Sequence, residues 1–176
     1  MSRINTKRPF LPVNIAILTG SDTRTRNNDT SGDVLESRIT QAGHRLAART
    51  IVKDQTELIT TQLRTWISDD GIDAVITTGG TGLTGRDLTP EAFGVVCDKA
   101  IPGVGEAFRW LSYDKIGTST IQSRATAGVA KNTYLFALPG SPNACRDGWD
   151  GILKDQLDYR HMPCNFVELM PRLMEK

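Results

Sequence analysis

Histidine is nearly absent: a chain of 176 residues carries only His44 and His161. Neither falls in a glycine-rich loop, so a Ser/His/Asp or Cys/His nucleophile has little to be built from. Cysteine is sparse as well. Cys97, Cys145 and Cys164 are odd in number and far apart, with no C-x-x-C pair, which argues against a disulfide frame or a structural zinc and favours a reducing compartment. Long hydrophobic runs are missing too, since none approaches the roughly 20 apolar residues that span a bilayer. The apolar stretch 10–18 holds Pro12 and Asn14, lacks a small-x-small cleavage site and runs into Asp22-Thr23-Arg24. It reads as a core strand rather than a leader. Finally, no sign of charge dominates. Lys and Arg number 21 against 20 Asp and Glu, a formal net charge of +1, so there is no global field for nucleic acid or an anionic membrane. The expectation is a cytoplasmic protein with neither partner, whose basic Arg3, Lys7 and Arg8 belong to a solvated arm.

Glycine, by contrast, is concentrated. Gly79, Gly80, Gly82 and Gly85 occupy four of the seven positions 79–85 within Thr77-Thr78-Gly79-Gly80-Thr81-Gly82-Leu83-Thr84-Gly85-Arg86-Asp87-Leu88-Thr89-Pro90-Glu91. Glycine reaches positive φ and lets a ligand approach backbone N–H groups that a side chain would screen. Thr78, Thr81 and Thr84 add hydroxyls, Arg86 a cation and Asp87 a carboxylate. Backbone donors, hydroxyls and positive charge suit phosphate, and a carboxylate beside them suits a divalent metal held on that phosphate. The segment is therefore read as a nucleotide or phospho-ligand loop. Gly80-Thr81-Gly82-Leu83-Thr84-Gly85 matches the dinucleotide fingerprint G-x-G-x-x-G by letter, but that fingerprint needs the helix to open within the glycine run. Here Thr89-Pro90 sets the helix start later. No Gly-Lys-Ser/Thr follows, so the Walker A pattern fails also.

In chain order the pattern predicts an arm over 1–12, a buried strand over 13–19 and a helix from Ser31 to Ala42 with Ser31 as N-cap and Gly43 as stop. An edge strand follows over 44–52, then a helix opened by Asp54-Gln55-Thr56-Glu57 and ended by Ser68-Asp69-Asp70-Gly71. The third strand, 73–77, feeds the glycine loop, after which Thr89 caps and Pro90 begins a helix to about Asp98. Ile101-Pro102-Gly103-Val104-Gly105 breaks the chain before a short helix over 106–113. Residues 117–130 are ambiguous, with a helix from Ser119 preferred. A strand over 132–138 exits through Pro139-Gly140-Ser141-Pro142, where Ser141 caps a helix to about Leu157, and 158–176 shows no period. Alternating strands and helices imply one three-layer α/β/α domain over 13–166 with a mostly parallel sheet, followed by a tail over 167–176. Ligands of such sheets bind at the carboxyl ends of the strands, where Ser21-Asp22, Lys53-Asp54, the glycine loop and Pro139-Gly140 all lie.

Each candidate also has a bland reading. Asp54, with Glu57 three residues on, suits a capping box as well as a metal. Asp87 suits an Asx turn or a surface pair with Arg86 as well as catalysis. Glu106 suits a helix N-terminus, Ser123-Arg124 an exposed helix face, and Gly140 and Ser141 a turn and cap as well as an anion site. Cys97 and Cys145 read as core thiols.

Taken together, Thr77-Thr78-Gly79-Gly80-Thr81-Gly82, Arg86-Asp87-x-Thr89-Pro90-Glu91-Ala92, Pro102-Gly103-x-Gly105-Glu106 and Leu138-Pro139-Gly140-Ser141-Pro142 resemble the MoaB/Mog family of molybdenum cofactor biosynthesis. Gly117-Thr118-Ser119-Thr120, Gln122-Ser123-Arg124-Ala125 and Pro163-Cys164-Asn165-Phe166 look most like its B-type branch. The resemblance implies a molybdopterin-binding α/β fold, a trimer or hexamer, and molybdopterin adenylyltransferase activity: molybdopterin and ATP give adenylyl-molybdopterin and pyrophosphate, with Mg²⁺. It places the two key aspartates, as catalytic and metal residues, on Asp54 and Asp87. Thr78, Gly79, Gly80, Thr81, Gly82, Ser123, Pro139, Gly140 and Ser141 become nucleotide- or pterin-facing, with Glu106 a further candidate. The other reading kept open is a molybdopterin-binding scaffold without transfer, and other proteins of the same pathway are possible partners.

Overall fold

The computed structural model describes residues 3–175; residues 1, 2 and 176, the ends of the expected arm and tail, lie outside them. Six strands form one sheet in the order β2-β1-β3-β6-β5-β4. They are β1 (Asn14–Gly20), β2 (Arg45–Val52), β3 (Ala74–Thr78), β4 (Lys99–Ala100), β5 (Thr126–Ala130) and β6 (Thr133–Leu138). The first three and β6 are parallel, whereas β5 runs antiparallel to β6 and β4 to β5. β1, β3 and β6 are almost continuously apolar because both faces are covered. Alternate residues go to opposite sides. Ile15, Ile17, Ile76 and Phe136 meet α1 (Thr30–Gln41), α4 (Pro102–Ile116) and α5 (Pro142–Gly148). Ala16, Leu18, Val75 and Leu135 meet α2 (Thr56–Ile67) and α3 (Thr89–Val96). The three-layer α/β/α expectation therefore holds. After α5 a π-helical turn (Trp149–Leu153) leads into α6 (Lys154–Gln156), and α7 (Phe166–Leu169) lies near the end.

Several local expectations are corrected. Asp29, not Ser31, caps α1: its carboxylate accepts from Gly32 N at 3.1 Å, and Ser31 Oγ instead donates to Gly140 O at 2.8 Å. Asp54 does not cap α2, which starts after Gln55 without a side-chain cap. Nor does Thr89 cap α3; its hydroxyl turns back to the Gly79 carbonyl at 2.9 Å. The expected break at Pro102 is the first turn of α4, where proline needs no N–H partner. A side chain at Gly105 would sit 2.2 Å from Ala125 O, so that glycine serves close packing of α4 on β5. Residues 117–130 hold a 3₁₀ turn (Gly117–Gln122) and β5, not a continuing helix.

The arm is packed rather than loose. Ile4 bridges His161, Asn5 N donates to Arg160 O at 2.8 Å, and Arg8 meets Glu168 at 3.2 Å while its guanidinium lies 5.0 Å over the Tyr159 ring. These partners lie more than 150 residues away in sequence, which no local period reveals.

Candidate functional site

The chain leaves β1 and β3 side by side at the carboxyl edge and turns to opposite sides of the sheet, creating a crevice at the switch point. Gly79 and Gly80 take φ of +97° and +66° there. A Cβ on Gly79 would lie 2.3 Å from Gly20 O, so the loop crosses the β1 exit backbone to backbone. Gly140, leaving β6, also comes close: its Cβ would lie 3.1 Å from Gly79 Cα. Thr78 Oγ1 donates to Pro139 O at 3.1 Å and lies 3.1 Å from Cys145 Sγ. Thr78 is thus buried under the loop and holds the two strand exits together.

A cleft of about 840 Å³ opens in front of these turns. Of the residues singled out in the sequence, Gly79, Gly80, Thr81, Gly82, Asp87, Ser123, Pro139, Gly140 and Ser141 line it. Its other wall, Phe108, Ser112, Lys115 and Ile116, comes from α4, and Asn143, Arg146 and Asp147 come from α5. None of these had been singled out: each is one ordinary helix residue until two helices are packed together. Lys115 Nζ meets Asp147 at 2.5 Å across the opening. Glu106 does not line this cleft; it is exposed on the first turns of α4.

The two aspartates occupy different environments. Asp87 Oδ2 accepts from Thr84 N at 2.8 Å and Thr84 Oγ1 at 2.7 Å. Burial would raise its pKa, yet the Thr84 and Gly82 hydrogen bonds and the Arg124 charge outweigh burial and hold the carboxyl below its ordinary value. Asp54 shifts the other way, raised chiefly by burial and then by the charge of Asp22, with Asp87 a smaller contributor. Its Oδ1 is buried and without a hydrogen-bond partner among the described residues, and it lies close to the loop, 3.5 Å from where a Gly80 Cβ would stand. An anionic oxygen left this way is costly unless a donor or cation meets it. Among the described residues no three His, Cys, Asp or Glu side chains gather into a metal cage. A cation at Asp54 and Asp87 would therefore complete its shell with ligand oxygens and water, the usual habit of Mg²⁺ at phosphates, so the donor set fits that ion.

Two further charges emerge only in three dimensions. Arg86 pairs with Asp22 of the β1 exit, and that guanidinium, outweighing slight desolvation, holds Asp22 below its ordinary value. Asp22 also accepts from Asp54 N at 3.3 Å. Arg124 enters from the turn before β5 and reaches the loop rather than solvent. Because β5 is antiparallel, its beginning lies beside the carboxyl end of β6, as the Thr126–Ala137 pairing shows. No local pattern signals that placement.

Known proteins share this fold. Residues 16–159 match the family model described as "Probable molybdopterin binding domain". The chain is similar to molybdenum cofactor biosynthesis protein B of Escherichia coli (strain K12), 48% identical over 166 residues, covering 94% of this chain and 96% of that protein. A crystal structure of a molybdenum cofactor biosynthesis protein B superposes with a TM-score of 0.86 at 34% identity, covering 96% of this chain and all, 100%, of the other. A tungsten cofactor synthesizing protein from Pyrococcus furiosus superposes at 0.74 with 33% identity, covering 82% of this chain and 92% of that one.

Proposed function

The chain belongs to the MoaB/Mog family of molybdenum cofactor biosynthesis, and from that premise we propose that it binds molybdopterin and adenylylates it with Mg-ATP, releasing pyrophosphate. The observation that carries the reading is the buried Asp54 Oδ1, without a hydrogen-bond partner among the described residues, beside a glycine loop whose own aspartate, Asp87, lines the large cleft. The terminal phosphate oxygen of molybdopterin attacks the α-phosphorus of ATP, the bond to the bridging oxygen breaks, and pyrophosphate leaves. No protein nucleophile takes part, in keeping with a cleft whose lining among the described residues includes no His to activate a hydroxyl and no Cys.

The chain's own contribution is position and charge. Loop N–H groups of Gly80 to Gly82 donate to phosphate oxygens and fix the line of attack. Phe108 and Ile116 give the cleft an apolar wall for a fused ring, and Lys115 and Arg146 put cations at its opening. Asp54 and Asp87 would hold magnesium, which when bound offsets phosphate charge. The remaining parts of the proposal are a cytoplasmic location and assembly as a trimer or hexamer, supported by apolar surface at Trp110, Tyr113 and Ile121; no helix among the described residues is long and apolar enough to cross a membrane.

Purified protein supplied with molybdopterin, ATP and Mg²⁺ should accumulate adenylyl-molybdopterin and pyrophosphate. Tight molybdopterin binding with no product above background would overturn the transfer step and leave a binding protein.

A further inference from the structure

Arg124 is the most heavily used side chain at the site, yet it does not itself line the cleft. Its Nε donates to Gly82 O at 2.7 Å and its Nη2 to Asp87 O at 2.6 Å. The same guanidinium pairs with the Glu91 carboxylate on the first turn of α3, while Arg124 N donates to Thr81 O at 2.8 Å. One planar group thus joins both ends of the segment 82–87 to a helix and to the entrance of β5. We propose that Arg124, oriented by Glu91, is a positioning residue that closes this segment into a fixed loop and so sets where the Asp87 carboxylate stands in the cleft.

Three features support the assignment. First, beyond its internal Thr84–Asp87 bonds and one exposed Arg86–Asp22 pair, the span it closes lies open: Leu83, Thr84, Gly85 and Arg86 are exposed, and a Cβ on Gly85 would meet nothing within 4 Å. Second, the closure is tight where it matters, because a Cβ on Gly82 would lie 2.7 Å from Asp87 Oδ2. Third, three separate acceptors around one side chain suit a guanidinium fork and not an ammonium, which offers a point charge with no fixed plane. Arg124 is itself partly buried, so its bonds to two carbonyls persist where solvent competes less.

The inference rests on the adenylyl-transfer reading for its catalytic consequence, but the clamp itself does not. Hydrogen exchange on the full-length protein reads the clamp without turnover: Arg124→Ala should speed exchange over residues 82–88 while β3 and β6 keep their protection. Unchanged exchange, or faster exchange throughout the sheet, would overturn it. In the transfer assay Arg124→Ala should lower kcat by roughly 10- to 100-fold, as expected when a reacting group is displaced by about 1 Å, with molybdopterin Kd changed by less than about threefold. Arg124→Lys should recover only a small part of kcat, and Glu91→Gln should slow the wild type but have little further effect on Arg124→Ala. Full rescue by lysine, additive losses, or a parallel loss of pterin binding would assign Arg124 to charge or general folding. If the wild type itself makes no product, the transfer reading and this positioning role fall together, and the exchange result separately decides whether the clamp exists.

Discussion

Thr89 Oγ1 donates a 2.9 Å hydrogen bond to the Gly79 carbonyl, ten residues back, and Thr89 N donates to Gly80 O at 3.0 Å. The first turn of α3 is thereby tied to the first residues after β3, and everything between them is a closed excursion over the cleft. Replacing this hydroxyl by a methyl group leaves a buried carbonyl short of its partner. Thr89→Val should cost about 1–3 kcal/mol, read from the denaturant midpoint, while Thr89→Ser should keep most of the stability.

The glycines of the loop are not equivalent. Gly79→Ala places a Cβ at positive φ and 2.3 Å from Gly20 O, so a loss of about 1–3 kcal/mol is expected. Gly85→Ala enters open space and should change stability by less than about 0.5 kcal/mol. Equal thermal shifts for the two would contradict the close crossing of β1 and the loop.

Asp87→Asn keeps the shape of the side chain and removes its charge. Transfer should fall by roughly 100-fold or more, with molybdopterin affinity measured by fluorescence quenching nearly unchanged. A comparable loss of affinity or of the folded state would make Asp87 a structural residue.

Asp54 and Asp87 predict opposite responses to pH. With its pKa raised above 3.8 by burial, Asp54 adds most to stability below that value, and the contribution is lost as pH climbs through the raised one. Asp54→Asn should therefore melt higher than wild type near pH 7, the difference closing toward pH 3. Asp87, held below 3.8 by its hydrogen bonds, adds stability above that value and loses it as pH falls through the lowered one. The acid limb of transfer should accordingly follow Asp54. A limb unmoved by substitution at Asp54 would count against its ionised form taking part.

Arg49 and Asp29 form a pair at 2.7 Å with side chains only 4% and 1% exposed. Asp29 also caps α1 and accepts from Thr19 Oγ1 at 2.8 Å. Arg49→Ala strands a buried carboxylate at the end of β1, and a loss of about 3–5 kcal/mol is expected in equilibrium unfolding.

Much of this was legible in the sequence because the signals are local. Short apolar β-branched runs fixed β1, β3 and β6, and Ser141-Pro142 marked the start of α5 through its own cap, confirmed by Ala144 N donating to Ser141 Oγ at 3.2 Å. The edge placement of β2 was legible in Arg45 and Arg49, and the glycine density of residues 79–85 marked the loop before any ligand was considered. Local rules failed where a hydroxyl or carboxylate found a better partner far away. Asp54, Thr89 and Ser31 all had capping credentials, and each side chain serves the crevice or its neighbouring turns instead.

The chain by itself determined the three layers and the glycine-rich loop, since periodicity and glycine spacing act over a few residues, whereas Ser123 was singled out as ligand-facing only through the family resemblance. Only the tertiary structure decided which helices wall the cleft, that Arg124 reaches across to Gly82, Asp87 and Glu91, and that Asp54 keeps an oxygen buried and unpartnered among the described residues. The antiparallel return of β5 brings Arg124 back to the carboxyl edge of the sheet, and strand direction is settled by pairing between distant segments rather than by any window of sequence.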